Sequence, residues 1–382
     1  MSIKEIAYIL FAINYKLGSI FPIKKNFVFS IITHDGSENG NIRTLTDYMC
    51  RTNNYTFYYM DKEETKAFFH LLFVLPFVMS RAEIILMDNA FMPMSFFKVR
   101  KKTKVLQLWH GTGSIKKFGQ DSNTGRLKEL EKRINNNIDY LFVNSERLIE
   151  EYAGAFGIDK SKVYVTGLPR TDWLLKLIND EKKLERLDII KNKISKSENI
   201  VLNGKKIILY APTFRDDEVD SPKLHLNIAE LMESLPENVI LFLKLHPFIS
   251  GTFNCSDLGN RVVNVSDYTD LNELMAASDG LITDYSSLIF DYLLLDKPVY
   301  FFADDLAEFS LNGRGFYLDY NKELPGFLAG SELELGDRIV KDLSGNEDEE
   351  FKLKREIFVI KYYTWLDGNS AKRVYETAIK EG

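Results

Sequence analysis

Cysteine is scarce in this sequence, and no apolar run is long enough to cross a bilayer. Only Cys50 and Cys255 occur among 382 residues, which excludes a disulfide framework and a cysteine-rich zinc site. The longest apolar stretch, 68–80, has 13 residues, whereas a spanning helix needs about 20. The first 25 residues lack the apolar core and cleavage site of a signal peptide. We therefore expect a protein of a reducing cytoplasm that is neither secreted nor membrane-spanning.

A strong charge of either sign is lacking as well. The 49 basic and 55 acidic residues leave a net charge of -6, which offers no general attraction for nucleic acid. The P-loop, the G-x-S-x-G elbow and the H-E-x-x-H motif are missing, which argues against common ATPase, esterase and zinc-protease chemistry. Any anion site must therefore be local.

Strand and helix patterns alternate along most of the chain, as in parallel sheets covered by helices. The pattern predicts an α/β fold with two Rossmann-like domains that face each other across a cleft. We expect a first domain over 1–175, a connector over 176–205, a second domain over 206–364, and a closing helix over 365–382 capped by Asn369 or Ser370. Strands are predicted at 26–33, 54–60, 82–88, 104–110, 139–145, 162–167, 206–214, 238–247, 261–267, 280–284 and 298–302.

Two histidines follow predicted strands, where open α/β sheets place their ligands. His110 ends the strand 104–110 and is followed by Gly111, Thr112 and a second glycine that would let a ligand approach the backbone. His246 follows Lys244 near the end of the strand 238–247, where Pro247 stops the ladder. Each histidine could instead be structural, but one at a strand end in each domain favours a shared site.

The segment 283–299 gives the strongest local signal for an anion site. A strand runs into Asp284, and Ser286 and Ser287 open a helix whose free N–H groups suit a phosphate. A plain serine cap is the alternative interpretation. Arg215, just past another strand, could clamp phosphate oxygens. The neighbouring pair 216–217 is acidic, but it sits on a predicted loop without a third carboxylate, so we expect no metal there.

Two segments have the composition of a lipid-facing surface. The run 98–117 holds seven basic residues and no acidic one, directly after the apolar segment 91–97. A buried loop beside an ordinary charge run fits this segment equally well. The first 25 residues predict an amphipathic helix with lysines around its apolar face, and the sequence does not decide which segment docks.

Taken together, these segments resemble the CDP-glycerol glycerophosphotransferase family of teichoic acid and capsule synthesis. The matching segments lie in the family's order at 108–119 (LWHGTGSIKKFG), 167–172 (GLPRTD), 210–216 (YAPTFRD), 243–247 (LKLHP), 283–299 and 367–374 (DGNSAKRV). WHGTGSIKKFG together with PRTD is most similar to the glycerol-phosphate primases. The family's polymerases usually show a proline soon after HGT, where this chain has Gly113.

The resemblance implies a GT-B fold, CDP-glycerol as donor, an undecaprenyl-diphosphate-linked saccharide as acceptor, and a peripheral place on the cytoplasmic face of the bacterial membrane. It also implies that His110 and His246 are essential. Poly(glycerol phosphate) or ribitol-phosphate polymerase activity stays open, as does a sugar-nucleotide transferase or a nucleotide sensor without catalysis.

The expected reaction is an in-line phosphoryl transfer that releases CMP, with His110 as general base. No metal or other cofactor is expected to be required, because a helix N-terminus, Arg215 and His246 could together neutralise a diphosphate. The residues expected to bind the donor phosphates are Arg215, Lys244, Thr283, Asp284, Ser286, Ser287 and Asp291. Those expected to attract the acceptor or its phosphates are Gly111, Thr112, Lys116, Lys117 and Arg170.

Overall fold

The computed structural model describes residues 2–61, 64, 67–213, 215, 223–246 and 258–380. The acidic pair 216–217 and Pro247, both singled out in the sequence, lie outside this part of the chain. The chain forms two compact units. The first comprises residues 1–112, 117–173 and 363–382, and the second comprises 113–116 and 174–362.

The first unit is built on a parallel sheet whose strands alternate with helices. Its strand order is β2-β1-β3-β4-β5-β6. Every residue of β1 is buried, as expected for a strand covered on both faces. Phe29 and Ile31 pack into one core and Val28 into another on the opposite face. The strands are β1 (Phe27–Ile31), β2 (Thr56–Met60), β3 (Ile84–Met87), β4 (Lys104–Gln107), β5 (Tyr140–Val143) and β6 (Val163–Val165).

Helices cover both faces of this sheet. The opening helix begins with a capping box between Ser2 and Glu5, which satisfies backbone N–H groups that the first turn leaves unpaired. Its inner face buries Phe11 and Tyr15. The helices of this unit are Ile3–Gly18, Asn41–Thr52, Phe68–Phe73, Leu75–Met79, Gly125–Asn135, Leu148–Phe156 and Ser370–Tyr375, with shorter helical turns at Met92–Phe96, Gly119–Asp121, Lys160–Lys162 and Glu376–Lys380.

The second unit repeats the design with strand order β12-β11-β10-β7-β8-β9, again parallel throughout. Its strands are β7 (Lys206–Tyr210), β8 (Val239–Leu243), β9 (Val262–Asn264), β10 (Gly280–Thr283), β11 (Val299–Phe302) and β12 (Phe327–Ala329). Its helices are Lys183–Ser197, Ile228–Ser234, Leu271–Ala277, Leu288–Tyr292, Leu306–Asn312, Glu332–Leu343 and Glu349–Tyr362, with a turn of 3₁₀ helix at Leu293–Leu295. The helix Arg170–Ile178 begins in the first unit and ends in the second.

The apolar segment 91–97 is part of the core. Phe91 and Met94 are at most 5% exposed, and Phe97 stacks on Tyr15 with ring centroids 4.1 Å apart. The interpretation of this segment as a buried loop is therefore the one that the structure shows. Among the described residues, none of the helices combines the length and the apolar character needed to cross a membrane.

The strand orders locate where each sheet should bind ligands. In the first unit the connections leave β1 and its neighbour β3 in opposite directions, and in the second unit they do so at β7 and β10. Ligands of open α/β sheets bind outside the carboxyl ends of the strands at such switch points. The residues that follow these strands are therefore the candidates for a site.

Candidate active site

The loop that carries His110 is held by five side-chain hydrogen bonds. Its consecutive carbonyl oxygens, from Leu108 to Thr112, each accept from a side chain of the first unit. Asn41 Nδ2 donates to Leu108 at 3.3 Å and to Trp109 at 2.9 Å, and Arg170 Nη1 donates to His110 at 2.7 Å. Tyr152 Oη donates to Gly111 at 2.9 Å, and Asn144 Nδ2 donates to Thr112 at 2.9 Å. The loop is preorganised, because every one of these carbonyls is fixed.

Asp88, directly after β3, anchors the neighbouring loop at the switch point. Its carboxylate is 1% exposed and accepts from the backbone N–H groups of Thr33, His34 and Asp35 at 2.9 to 3.0 Å. Buried carboxylates need such donors to offset the loss of water. Asp88 thus ties the end of β3 to the loop that follows β1.

The hydrogen bond of His110 fixes its tautomer. Nδ1 lies 3.0 Å from the carbonyl oxygen of Asp88. A carbonyl oxygen only accepts, so Nδ1 must carry the proton and the basic lone pair of the neutral ring sits on Nε2. His110 is half-buried. This arrangement suits a general base.

Arg170 links this loop to the one after β1. Its side chain is 8% exposed and lies 3.5 Å from Asp35 Oδ2, while its Nη1 binds the carbonyl of His110. Its backbone N–H donates to Asn41 Oδ1 at 2.9 Å. The sequence prediction that Arg170 attracts phosphate stays a prediction, whereas its position beside His110 is observed.

Arg215 lies at the switch point of the second unit, between two carboxylates. Nη1 donates to Asp284 at 2.8 Å, and Nε and Nη2 donate to Asp305 at 2.7 and 3.1 Å. Its side chain is 3% exposed. Burial by itself would lower the pKa of Arg215, but the two carboxylates outweigh it and raise the pKa above its ordinary value. The geometry makes Arg215 an organiser of this loop, while its predicted contact with phosphate stays a prediction.

Aromatic rings enclose this ion-pair cluster. The guanidinium of Arg215 lies 4.8 Å from the ring centroid of Tyr285, whose hydroxyl donates to Asp305 at 2.8 Å. Asp284 also accepts from the backbone N–H of Thr213 at 2.8 Å. Burial opposes the ionisation of Asp305, but the hydrogen bonds from Arg215 and Tyr285 prevail and lower its pKa. Asp284 is thus a structural acceptor as well as a predicted donor-binding residue.

Lys244 and His246 both follow β8, but Lys244 is bonded to a neighbouring loop and His246 is exposed. Lys244 Nζ donates to the carbonyls of Ser266 and Tyr268, both at 2.7 Å, and burial lowers its pKa. Lys244 therefore fastens the loop after β9. His246 is exposed two residues further on. His110 belongs to the first unit and His246 to the second.

The segment after β10 forms only a short helix. Leu288–Tyr292 has five residues, and Ser286 Oγ accepts from the backbone N–H of Leu288 at 3.2 Å. A helix this short has a weaker dipole than the sequence pattern suggested. Ser286 and Ser287 are half-buried. Thr283 donates to the carbonyl of Ala211 at 2.7 Å, and Asp291 is 3% exposed.

Residues 113–116 continue the histidine loop but pack in the second unit. A Cβ built on Gly113 would lie 2.4 Å from the ring of Phe290, so only glycine fits there without a shift. Lys116 Nζ lies 6.0 Å from the ring centroid of Phe309. Lys117 belongs to the first unit again, and both lysines are half-buried.

Several organising residues were not foreseen from the sequence. They are Asn41, Asp88 and Asp305, each of which bonds a residue far away in the chain. Their positions after strands, or at the start of a helix after a strand, gave the available signal.

One group of described residues has the composition of a metal site. Single ligand atoms of His225, Asp304 and Asp305 lie within 4.8 Å of one another. His225 Nδ1 is 2.8 Å from Asp304 Oδ1, and both oxygens of Asp305 accept from Arg215. The guanidinium next to Asp305 opposes a second cation at that carboxylate.

Five of the six matching segments begin at or just after the end of a strand, namely β4, β6, β7, β8 and β10, and the sixth, 367–374, leads into the helix Ser370–Tyr375. Residues 13–380 match the model of a family described as CDP-Glycerol:Poly(glycerophosphate) glycerophosphotransferase. The chain belongs to this glycerophosphotransferase family. Family membership confirms the resemblance and makes the chain a transferase of the teichoic acid group.

Relatives within the glycerophosphotransferase family include both short and long proteins. The chain is 31% identical to the teichoic acid glycerol-phosphate transferase of Staphylococcus aureus, over 96% of each chain. It is 32% identical to the teichoic acid glycerol-phosphate primase of Bacillus subtilis, over 78% of this chain and 74% of the relative. It is 30% identical to the teichoic acid poly(ribitol-phosphate) polymerase of Bacillus spizizenii over 99% of this chain, but spans only 60% of that protein.

A solved structure of a teichoic acid polymerase has the same fold as this chain. The structure of the wall teichoic acid polymerase TagF superposes with a TM-score of 0.79 at 24% identity, covering 96% of this chain and 92% of that chain. The prediction of an α/β fold of GT-B type, with two Rossmann-like parts, is confirmed.

Proposed function

We propose that this glycerophosphotransferase moves glycerol phosphate from CDP-glycerol to a hydroxyl of a polyprenyl-diphosphate-linked saccharide. The acceptor oxygen attacks the β-phosphorus, the bond from that phosphorus to the bridging oxygen breaks, and CMP leaves. The acceptor proton goes to His110 Nε2. The single observation that carries the proposal is the hydrogen bond from His110 Nδ1 to the Asp88 carbonyl, which makes Nε2 the basic atom.

The loop around His110 supports this role. A base contributes most when it does not have to reorganise, and five carbonyls of this loop are already held by side chains. Phosphoryl transfer depends mainly on positioning and on stabilising charge. Fixed geometry at His110 is the kind of support that such a reaction needs.

Donor binding is assigned to groups of the second unit. We propose the exposed His246 and the half-buried Ser286 and Ser287 as ligands of the donor phosphates. Arg215 and Asp284 would act by holding the loops in place, because their polar atoms bond one another. Lys116 and Lys117 remain the candidates for attracting the diphosphate of the acceptor.

We further propose that one glycerol phosphate is added per acceptor, as in a primase. Gly113, which stands where the family's polymerases usually show a proline, supports this, together with the similarity to the Bacillus subtilis primase. Polymerases of glycerol phosphate or ribitol phosphate are the second candidate, because relatives with those names are 34% and 30% identical to this chain.

The test is incubation with a synthetic disaccharide-diphospho-lipid and CDP-glycerol, followed by the mass of the product. One added glycerol phosphate per lipid supports the proposal, and a ladder of masses supports a polymerase. CDP-ribitol in a parallel reaction identifies the alditol. UDP-sugars serve as the matched negative donors, since transfer from one of them would favour a glycosyltransferase instead. Turnover should persist in excess chelator, because we propose that no metal is required.

The first unit has an exposed apolar surface that suits binding to a membrane. The opening helix and the turn after it expose Ile3, Ile6, Ile13, Leu17, Ile20 and Phe21, and the helix Phe68–Phe73 exposes Phe68, Phe69 and Phe73. Exposed lysines flank these residues at positions 4, 16, 24 and 25. Apolar side chains with a basic rim suit an anionic bilayer surface. We propose peripheral binding to the cytoplasmic membrane face through this surface.

Vesicle flotation tests the surface directly. Ile20→Glu with Phe21→Glu should abolish binding to vesicles that contain phosphatidylglycerol. Ile360→Glu, at a 77% exposed residue of the second unit, is the matched control and should bind like the unaltered protein. Equal binding of all three proteins would remove this surface from the proposal.

A further inference from the structure

The imidazole of His110 is stacked between two other rings. The ring centroid of Trp109 lies 3.9 Å from that of His110 at an interplanar angle of 32°. The ring of His34 lies 3.8 Å from it at 24°. Two nearly parallel rings this close to a third would overlap if they shared one face, so they lie on opposite faces. His34 therefore covers the face of His110 that Trp109 leaves open.

One residue positions both histidines. The Asp88 carboxylate accepts from the backbone N–H of His34 at 2.9 Å, and the Asp88 carbonyl accepts from His110 Nδ1 at 3.0 Å. Asp88 is 1% exposed and directly follows β3, so this anchor lies at the switch point. The same residue thus holds the backbone of His34, whose side chain is exposed, and the ring of His110.

We propose that His34 is a positioning residue for His110, which it keeps oriented and neutral by allowing the stacked pair only one positive charge near neutral pH. The inference rests on the proposed role of His110 as base. Two imidazoles at this separation titrate as a coupled pair, because a charge on one ring opposes a charge on the other. His110 would then accept the proton of the acceptor hydroxyl at a lower pH than a solitary histidine could.

Charged groups of the described residues also lie near the pair. Two of them are the carboxylates of Asp35, in the loop after β1, and Asp88, directly after β3. Arg170, at the start of the helix Arg170–Ile178, binds the carbonyl of His110 and faces Asp35. Trp109 adds an aromatic face that favours a cation on His110. The second imidazole opposes that preference at closest range.

Two variants separate charge from shape. His34→Phe keeps a ring on His110 and removes the titrating group, and His34→Ala removes both. With His34→Phe, the acid limb of the kcat/KM profile should move up by about one pH unit while the optimum rate stays within about threefold. With His34→Ala, the acid limb of the kcat/KM profile should move by the same amount. The kcat of His34→Ala should be lower than that of His34→Phe, because the ring stacked on His110 is lost as well. An unmoved limb in both variants would overturn the proposal.

Histidine ring NMR tests the coupling without any substrate. In protein labelled at its five histidines, His34→Phe should shift the titration of the His110 ring to higher pH. The matched control is His70→Phe, because His70 bonds Tyr58 elsewhere in the same unit and should leave His110 unchanged. If the ring titration responds but no donor is turned over, the function fails and the pair stands. If turnover occurs and the ring does not respond, the pair fails alone.

Discussion

Asp172 binds the backbone of Ser370, 198 residues further along the chain. Its Oδ1 accepts from the Ser370 N–H at 2.8 Å, and its Oδ2 accepts from the Ala371 N–H at 2.9 Å. These are free N–H groups at the start of the helix Ser370–Tyr375, so a distant aspartate caps it. The motifs PRTD and DGNS therefore belong together for a structural reason.

Replacing this cap should destabilise the first unit. Asp172→Ala is expected to lower the free energy of unfolding by about 1 to 3 kcal/mol, because two buried N–H groups lose their acceptor. The measurement is urea unfolding followed by circular dichroism. Asp47→Ala, at an exposed aspartate on the helix Asn41–Thr52, is the control and should change stability little. Equal stabilities of the two variants would argue against the cap.

The second prediction concerns the cluster around Arg215. Arg215→Met leaves Asp284 and Asp305 without their cation, so the free energy of unfolding should fall by about 3 to 5 kcal/mol. A role limited to phosphate binding would instead raise KM for the donor and leave unfolding unchanged. Arg186→Met breaks an ion pair on a 57% exposed side chain and should cost at most about 1 kcal/mol.

The third prediction is a pH dependence of stability. The hydrogen bond from Arg373, with further help from Asn369, lowers the pKa of Asp367 to about 2. A depressed carboxyl pKa stabilises the fold above its unfolded value, which is about 3.9, and this contribution is lost as pH falls towards 2. Asp367→Asn should therefore unfold more easily at pH 6, with a smaller difference from the unaltered protein at pH 2.5. A difference that does not depend on pH would contradict the assignment.

The fourth prediction pairs Gly113 with Phe290. Gly113→Ala puts a methyl group against the ring, so we expect a loss of about 1 to 3 kcal/mol in the free energy of unfolding. Phe290→Leu replaces the ring with a smaller side chain and should make the same glycine substitution less harmful. A double-mutant cycle measures the coupling. Strictly additive effects would mean that the loop relieves the clash elsewhere.

Eleven of the twelve described strands were predicted from the sequence, but the short strand β12 and some helices were not. Strands such as β8 (Val239–Leu243) are continuous apolar runs, which local pattern detects. The pattern over 64–76 predicts a single helix, whereas the structure divides it at Val74 into Phe68–Phe73 and Leu75–Met79. The predicted closing helix starts at Ser370, and the Asn369 side chain accepts no capping hydrogen bond from it, because Asp172 supplies the acceptor. Local rules could not reveal an acceptor so far away.

The same limit applies to the candidate site. His110 and Arg215 were identifiable because each follows a strand and carries suitable chemistry. The partners that define their roles are Asp88 and Asp305, and each lies after a different strand of the same sheet. Only the strand order brings them together. The sequence therefore identified these candidate residues but not the partners that orient them.

The most direct test is the rate of CMP release from CDP-glycerol by His110→Gln in the presence of the lipid-linked acceptor. Glutamine can still donate to the Asp88 carbonyl but cannot accept the hydroxyl proton. We expect a rate lower by about 10² to 10⁴-fold with unchanged circular dichroism and thermal midpoint. A folded His110→Gln protein that releases CMP within about tenfold of the unaltered rate would show that His110 is not the general base.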